Sequence, residues 1–341
     1  MKITLIYVGV GVAGFNANRP MGDREGGWIG HGVASVGASA KRAGYQVDLI
    51  DMRQLSGWEA FEQRIKSSPS DVYGLSVSAV DHWPALRAIL ILRRTLPECK
   101  IIVGGIHPSI FPQEYDFDAV DCVVQGEGEV SFVELLIAIE KNNPLPKVMR
   151  WNKPNLDKIP YVDRGLFDYG RELSCQFTPD QDLPSITMLA GRGCPYHCQY
   201  CQPAENAVFG KPFRIRSPEN IIDEMHILKQ RYGFKSVTFW DDTFTFKTEW
   251  VRRFCSLYEQ SGIRSKIVAC SRADIICRNE GMIERLAEVG VIWLVIGLES
   301  GSQRILNFIK KGTTVEQNVM AAKICRLCAF ANFSICSISV E

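Results

Sequence analysis

Cys194, Cys198 and Cys201 are the residues whose type and spacing point most directly to chemistry. They stand in the run Gly191-Arg192-Gly193-Cys194-Pro195-Tyr196-His197-Cys198-Gln199-Tyr200-Cys201, a Cys-x3-Cys-x2-Cys pattern with no fourth cysteine close by in sequence. Thiolates hold iron–sulfur clusters, and a four-iron cluster has four corners, so three ligands from one tight loop leave one iron for a non-protein ligand. An open metal position is a place for chemistry, whereas a closed site is usually structural. Two other readings stand beside this one. Zinc takes four tetrahedral ligands, commonly as two separated pairs, and His197 as the fourth would sit awkwardly next to Cys198 in the same loop. Three unrelated core thiols are the other, since free cysteine is often buried. The loop follows a strand pattern directly, at the carboxyl end where α/β sites lie, which favours the cluster.

The elements that must position this loop come in two sets. The first ~125 residues alternate strand and helix patterns at the pace of βαβ units. Strand patterns cover 3–8, 46–50, 72–78, 100–103 and 122–124, and helical patterns cover 32–43, 58–67, 83–96 and 129–141. Short Val/Ile/Leu runs between amphipathic helices imply a parallel sheet covered on both faces, a doubly wound Rossmann-like (flavodoxin-like) α/β domain. Its ligand rim, beyond the carboxyl ends of the strands, falls at 9–16, 76–82, 104–109 and 125–129. Between Pro144 and Pro184 the periodicity fades while Pro, Asn and Asp accumulate, which reads as a connector.

Alternation then resumes, with strand patterns at 185–190, 236–240, 266–269, 292–296 and 333–339 and helical patterns at 218–232, 248–261, 281–289 and 315–330. Five strands and four helices are too few for an eight-unit barrel. The expected organisation is therefore an α/β domain at 1–143, a connector at 144–184 and a partial (β/α) barrel at 185–341, truncated at its C-terminal end. An exposed sheet edge there would favour association.

Composition narrows the function classes. The 341 residues carry 39 basic and 38 acidic side chains, a net charge of +1, so no electrostatic argument favours a nucleic acid or membrane surface as partner. The longest apolar stretch, 291–298, falls far short of the roughly 20 residues of a membrane span. The N-terminus carries one early positive charge and lacks a clear small-residue cleavage site, so it reads as a first buried strand rather than a signal peptide. Twelve scattered cysteines lack the dense framework of a secreted disulfide scaffold, and a reducing cytoplasm is the expected setting.

Gly9-Val10-Gly11-Val12-Ala13-Gly14 matches G-x-G-x-x-G after a strand, the dinucleotide fingerprint. Its context fails, because 15–30 holds Pro20 and further glycines where a helix should run, and Asp48 and Asp51 lie too far downstream. A glycine-rich loop beside a bulky planar cofactor fits better. Cys325 and Cys328 lie inside a helical pattern without partners at suitable spacing; like Cys270, Cys277 and Cys336, they read as ordinary thiols.

The cysteine loop, with Tyr200 before its last cysteine, resembles that of the radical S-adenosylmethionine superfamily. Phe239-Trp240-Asp241-Asp242-Thr243-Phe244, Ser271-Arg272-Ala273-Asp274, Ile296-Gly297-Leu298-Glu299-Ser300-Gly301-Ser302 and Lys310-Lys311 follow in order after successive strands. With Val103-Gly104-Gly105-Ile106-His107-Pro108 and Val124-Gln125-Gly126-Glu127-Gly128-Glu129, the series is similar to the branch carrying an N-terminal cobalamin-binding domain. The resemblance implies a 4Fe-4S cluster on Cys194, Cys198 and Cys201, and S-adenosylmethionine contacts from Tyr200, Asp241, Arg272 and Glu299. It also implies cobalamin contacts from Gly11, Ser78, Gly104, Gly105, His107, Gly126 and Glu127.

An Arg can pair with the methionine carboxylate, and an acidic side chain can accept from a ribose hydroxyl or ammonium group. The bland alternative for each of these four residues is a loop ion pair or packing role. Cobalamin-dependent mutases resemble one another in an Asp-x-His-x-x-Gly loop that is absent here, since Ile29 and Ala34 stand at the Asp and Gly positions around His31. The lower cobalt face is thus expected to lack that histidine, and a domain that has lost cobalamin stays open as a reading.

The activity so implied is reductive cleavage of S-adenosylmethionine to a 5′-deoxyadenosyl radical, coupled to cobalamin, with methyl transfer to an unreactive carbon or phosphorus centre of a small molecule. A low-potential flavodoxin or ferredoxin would supply the electron. The alternatives are a radical rearrangement, cyclisation or oxidation without methyl transfer, and a truncated non-catalytic cobalamin-binding protein.

Overall fold

Aliphatic runs too short for helices, each followed by an amphipathic segment, dictate buried parallel strands with helical crossovers. The computed structural model describes residues 1–15, 28–150, 153–201, 204–328 and 332–337. The chain divides into two compact units, residues 1–171 with 203–210, and residues 172–202 with 211–341. The connector pattern at 144–184 is thus shared between the units, and a short segment just past the cysteine loop belongs to the first.

In the first unit, β1 (Lys2–Tyr7), β2 (Gln46–Asp51), β3 (Val72–Ser76), β4 (Lys100–Gly104), β5 (Cys122–Gln125) and β6 (Val148–Arg150) form a six-stranded sheet. Its order is β2-β1-β3-β4-β5-β6 with every pair parallel. The order reverses between β1 and β3, the flavodoxin-like switch point where such sheets bind ligands. The strand β6 lies within the connector pattern. Ile3, Ile6, Val72, Tyr73, Ile101 and Val103 are buried in this sheet. Each fully buried aliphatic side chain of this kind contributes about 1.5–3 kcal/mol.

Helices α1 (Val10–Ala13), α2 (His31–Arg42), α3 (Trp58–Ser67), α4 (His82–Thr95), α5 (Ile106–Ile110) and α6 (Gly128–Glu140) connect these strands. α1 is a single turn, in keeping with the failed dinucleotide context; residues 16–27 lie outside the described residues. α7 (Tyr169–Leu173) falls at the boundary of the units, and α8 (Ala204–Val208) packs on α5 within the first unit.

In the second unit, β7 (Ser185–Met188) leads into β8 (Gly191–Arg192), which pairs antiparallel with β9 (Arg214–Ile215). The main sheet adds β10 (Ser236–Phe239), β11 (Lys266–Ser271), β12 (Val291–Glu299) and β13 (Asn332–Ser337) in parallel, in the order β13-β12-β11-β10-β7. The described residues thus form a five-stranded parallel sheet rather than a closed barrel. Crossovers are made by α9 (Pro218–Tyr232), α10 (Thr248–Gln260), α11 (Ala273–Arg278) with α12 (Glu280–Glu288), and α13 (Gln303–Phe308) with α14 (Val315–Leu327).

α9 shows how local sequence sets its limits. Ser217 accepts a hydrogen bond from the Asn220 N–H, Pro218 opens the helix, and Gly233 at φ +62° closes it. No helix among the described residues is long and apolar enough to cross a membrane.

Candidate functional site

The cysteine loop is an excursion between β8 and β9, and its base is fixed from the next strand. Asp241, buried just past β10, accepts from the Ala190 N–H through both carboxylate oxygens (2.9 and 3.1 Å) and also from the Gly191 N–H. Burial pushes its carboxyl up to about 7. Asp241 therefore anchors the strand that launches the loop. Gly191 is required by close packing, because a Cβ there would lie 2.9 Å from the Phe213 ring and 3.1 Å from the Arg214 carbonyl. Gly193, at φ +81°, turns the chain into the loop in a conformation that side-chain-bearing residues rarely adopt.

Within the loop Cys198 is buried, and Cys194 and Cys201 are half-buried. The Cys201 thiol is pushed up to about 11, first by burial, then by the nearby Cys198, Asp242 and Cys194. Three sulfurs gathered in one loop are a donor set that a cationic iron core would neutralise. Among the described residues, the three sulfurs do not form a group converging within 4.8 Å. The side chain of His197 is exposed.

Tyr200 and Glu299 meet across 99 residues of sequence. The Tyr200 hydroxyl donates to Glu299 Oε1 at 2.8 Å, and Lys311 Nζ donates to the same oxygen at 2.8 Å and to the Tyr200 hydroxyl at 3.2 Å. Glu299 and Lys311 are both 6% exposed, whereas Tyr200 is 46% exposed. Glu299 sits at φ +64°, an uncommon backbone state for a non-glycine residue and one that clusters at functional sites. Gly297 leaves room for this pair, since a Cβ there would collide with Glu299 Oε1 and lie 2.8 Å from Lys311 Nζ. Both bonds to Glu299 converge on Oε1, which leaves Oε2 for an ammonium or hydroxyl group of a ligand.

Arg272 is buried with its donors committed. Nε reaches Asp274 Oδ1 at 3.0 Å, one terminal nitrogen reaches the Lys311 carbonyl at 2.6 Å, and the other reaches Cys198 Sγ at 3.7 Å. The guanidinium carbon lies 3.4 Å from the Tyr196 ring centroid. Burial works against its charge, but Asp274, Tyr196 and Cys198 outweigh that and hold its pKa above the usual value. One of its contacts is thus with a sulfur of the cysteine loop. Hydrogen bonds to ligand sulfurs are one of the levers that set a cluster's reduction potential.

On the rim of the first unit, Asp81 joins two loops, accepting from the Gly11 N–H at 2.9 Å and from the Ser78 hydroxyl at 2.7 Å. A Cβ at Gly11 would collide with the Val80 carbonyl. Ser109 joins the next two loops, donating to the Gly105 carbonyl at 2.6 Å and accepting from the Gly126 N–H at 2.9 Å. Gly104 ends β4, Gly105 sits at φ +107°, and Glu127 is buried at the start of α6. His107 turns toward His82, Tyr115 and Glu114.

Val80, Trp83, Ile106 and Phe111, all at this carboxyl-end rim, are exposed, Trp83 to 76%. An apolar patch over glycine turns suits the broad face of a macrocycle. The fit to a corrin rests on that patch.

Family models match both units. Residues 188–338 match the radical SAM superfamily, and residues 21–136 match the B12 binding domain. The chain belongs to the radical S-adenosylmethionine superfamily, in the branch that carries an N-terminal cobalamin-binding domain. That membership implies a 4Fe-4S cluster, S-adenosylmethionine and cobalamin as cofactors.

Among its relatives is an uncharacterized methyltransferase of Pyrococcus horikoshii, 28% identical over 84% of this chain and 64% of its own length. Another is the anaerobic magnesium-protoporphyrin IX monomethyl ester cyclase of Synechocystis sp., 26% identical over 86% of this chain and 61% of its own. The chain thus spans less than two-thirds of these relatives. The fold matches the cobalamin-dependent S-adenosylmethionine radical enzyme OxsB, solved with aqua-cobalamin and S-adenosylmethionine bound. That match has a TM-score of 0.81 at 19% identity, over 99% of this chain and 49% of OxsB.

Sequence reasoning missed the roles of Lys311, Tyr196, Asp274 and Asp81. Lys310-Lys311 was visible as a pair, but only the fold puts the second lysine on Glu299. Of the remaining cysteines, Cys325 is buried and Cys270 half-buried, and desolvation pushes each thiol up to about 12. Cys277 donates to the Gln317 carbonyl. The side chain of Cys336 lies outside the described residues.

Proposed function

We propose that this chain is a methyltransferase of that class, acting on an unactivated carbon or phosphorus centre of a small molecule. The observation that carries the proposal is the pairing of two unlike rims in one polypeptide: charged and sulfur-bearing in the second unit, apolar and glycine-lined in the first. When bound, the cluster and S-adenosylmethionine supply a 5′-deoxyadenosyl radical, and cobalamin supplies a methyl carrier. Cys194, Cys198 and Cys201 would hold the cluster. Tyr200, Glu299 and Lys311 form the polar pocket for the amino-acid or ribose part of S-adenosylmethionine, with Glu299 Oε2 as the acceptor. Asp241 fixes the loop's base, and Arg272 keeps a positive charge against Cys198. Gly11, Ser78, Gly104, Gly105, Gly126 and Glu127 shape the rim for cobalamin. A low-potential flavodoxin or ferredoxin is the electron donor in this reading.

The experiment is anaerobic reconstitution with iron, sulfide and hydroxocobalamin, followed by S-adenosylmethionine and a reductant. Formation of both 5′-deoxyadenosine and S-adenosylhomocysteine is expected, and the absence of both would overturn the proposal. A second reading, radical rearrangement, cyclisation or oxidation without methyl transfer, draws support from the cyclase relative, which matches as much of the chain as the methyltransferase does. It requires 5′-deoxyadenosine without S-adenosylhomocysteine.

A further inference from the structure

Two histidines of the first unit share both of their neighbours. His82 opens α4 after β3, His107 lies in α5 after β4, and Glu114 and Tyr115 belong to the 3-10 turn Pro112–Tyr115 that follows. The two imidazoles lie 4.5 Å apart at 33°. Their Nδ1 atoms reach one hydroxyl, that of Tyr115, at 2.9 and 3.1 Å. Their Nε2 atoms face one carboxylate oxygen, Glu114 Oε2, at 3.4 and 3.6 Å.

A tyrosine hydroxyl has one proton, so it donates to at most one of the two Nδ1 atoms. At least one ring must therefore donate its Nδ1–H to Tyr115. In its neutral form that ring turns a bare Nε2 lone pair toward a carboxylate oxygen, an arrangement that calls for a cation between them. A second ring proton or a metal ion would serve.

The distances point to a metal instead. A charge-assisted N–H···O bond would be about 2.7–2.9 Å. Two ligands at about 2.1 Å from one tetrahedral ion stand about 3.4 Å apart, the spacing found here. The Tyr115 hydroxyl supplies what a metal-bound imidazole needs on its other nitrogen, a partner that fixes tautomer and ring orientation. Glu114 is 40% exposed in its side chain, which gives an ion a way in.

We infer that His82, His107 and Glu114 form a site for a divalent cation of borderline softness, zinc foremost, with a fourth position open. Two imidazoles and one carboxylate suit zinc, whereas magnesium and calcium require all-oxygen shells. The ion would tie the Pro112–Tyr115 turn to the starts of α4 and α5. Both nitrogens of His107 would then be committed, which removes it from the corrin contacts. The inference stands apart from the proposed methyl transfer.

The test uses cluster-reconstituted protein, so that the loop thiols are occupied, loaded with zinc and desalted. Wild type is expected to retain about one zinc per chain with a zinc-edge X-ray absorption spectrum of nitrogen and oxygen ligands only. His82→Ala and Glu114→Gln should each lose that zinc. Tyr115→Phe should keep it with an affinity about 10- to 100-fold weaker in competition with a chromophoric chelator. Glu114 is surface-exposed, so Glu114→Gln tests ligation without threatening the fold, and circular dichroism verifies all three variants. Equal zinc retention in wild type and Glu114→Gln, or a sulfur-ligated zinc edge in wild type, would overturn the inference.

Discussion

The two sheets are alike in parallel pairing and in presenting their candidate surfaces at the carboxyl ends of strands, yet they build those surfaces from different materials. The first unit uses backbone and small side chains: Gly11 and Gly105 in close approaches and Gly126 at a positive φ, stitched by Asp81 and Ser109, with Trp83 and Phe111 exposed on the same rim. The second buries Asp241, Arg272, Glu299 and Lys311 around a sulfur-bearing loop, whereas the first also buries Arg53, Asp81, Glu127 and Glu129 but leaves Val80, Trp83, Ile106 and Phe111 exposed. Burying charges costs several kcal/mol each unless they are paired. The contrast lies in the exposed apolar side chains of the first rim and the sulfur-bearing loop of the second, since both rims pair their buried charges.

The comparison is broken most sharply at the cluster. Cys198→Ala should reduce iron after reconstitution to well below the ~4 per chain of a full cluster and abolish 5′-deoxyadenosine formation. Cobalamin binding by the same variant, followed by its visible spectrum, should persist. Loss of both together would mean that the rims are not separable.

Lys311→Met leaves Glu299 buried beside Tyr200 alone. Removing one partner of a buried ion pair costs about 3–5 kcal/mol, so a marked fall in melting temperature is expected together with weakened S-adenosylmethionine binding by calorimetry. An unchanged melting temperature would remove the pair from the account.

Gly105→Ala tests the other rim. Its Cβ would lie 2.7 Å from both the nitrogen and the oxygen of Val77, at a backbone φ of +107°. The expected cost is about 1–3 kcal/mol, with reduced cobalamin retention and unaltered iron loading. Arg272→Lys keeps the charge but loses the planar fork that serves Asp274, Cys198 and the Lys311 carbonyl at once. An EPR-monitored redox titration should give a more negative cluster potential; an unchanged potential would reduce Arg272 to a structural role.

The smallest effect is on pH. Burial and His82 hold the pKa of His107 below 6.5, so the unfolded chain binds that proton more tightly than the folded one. In metal-free protein the stability is full above about pH 6.5 and falls below it as the unfolded state takes up the proton. His107→Asn should flatten that part of the stability curve.

What the sequence disclosed follows from how local each signal is. The cysteine spacing, the helix α9 with its serine cap and terminal glycine, and the alternation of strands and helices are carried by neighbouring residues. β6 and the β8–β9 hairpin were illegible because two or three residues hold no period, and α13 because six residues barely make two turns. Arg272 and Asp241 were legible as site candidates, but their partners were not. A guanidinium 74 residues away from the sulfur it contacts leaves no trace in spacing. Tyr200, Glu299 and Lys311 meet for the same reason only in the folded chain.

The short helix α8 has a consequence for how this protein can be taken apart. Residues 203–210 belong with the first unit although they follow Cys201 almost directly and precede β9 of the second. The polypeptide therefore passes between the units three times, at 171/172, 202/203 and 210/211. No single cut yields two intact halves, so a protease or a gene fusion acting on the connector alone would leave one unit's helix on the other's chain. An exchange of the first unit as a cassette would have to carry residues 203–210 with it.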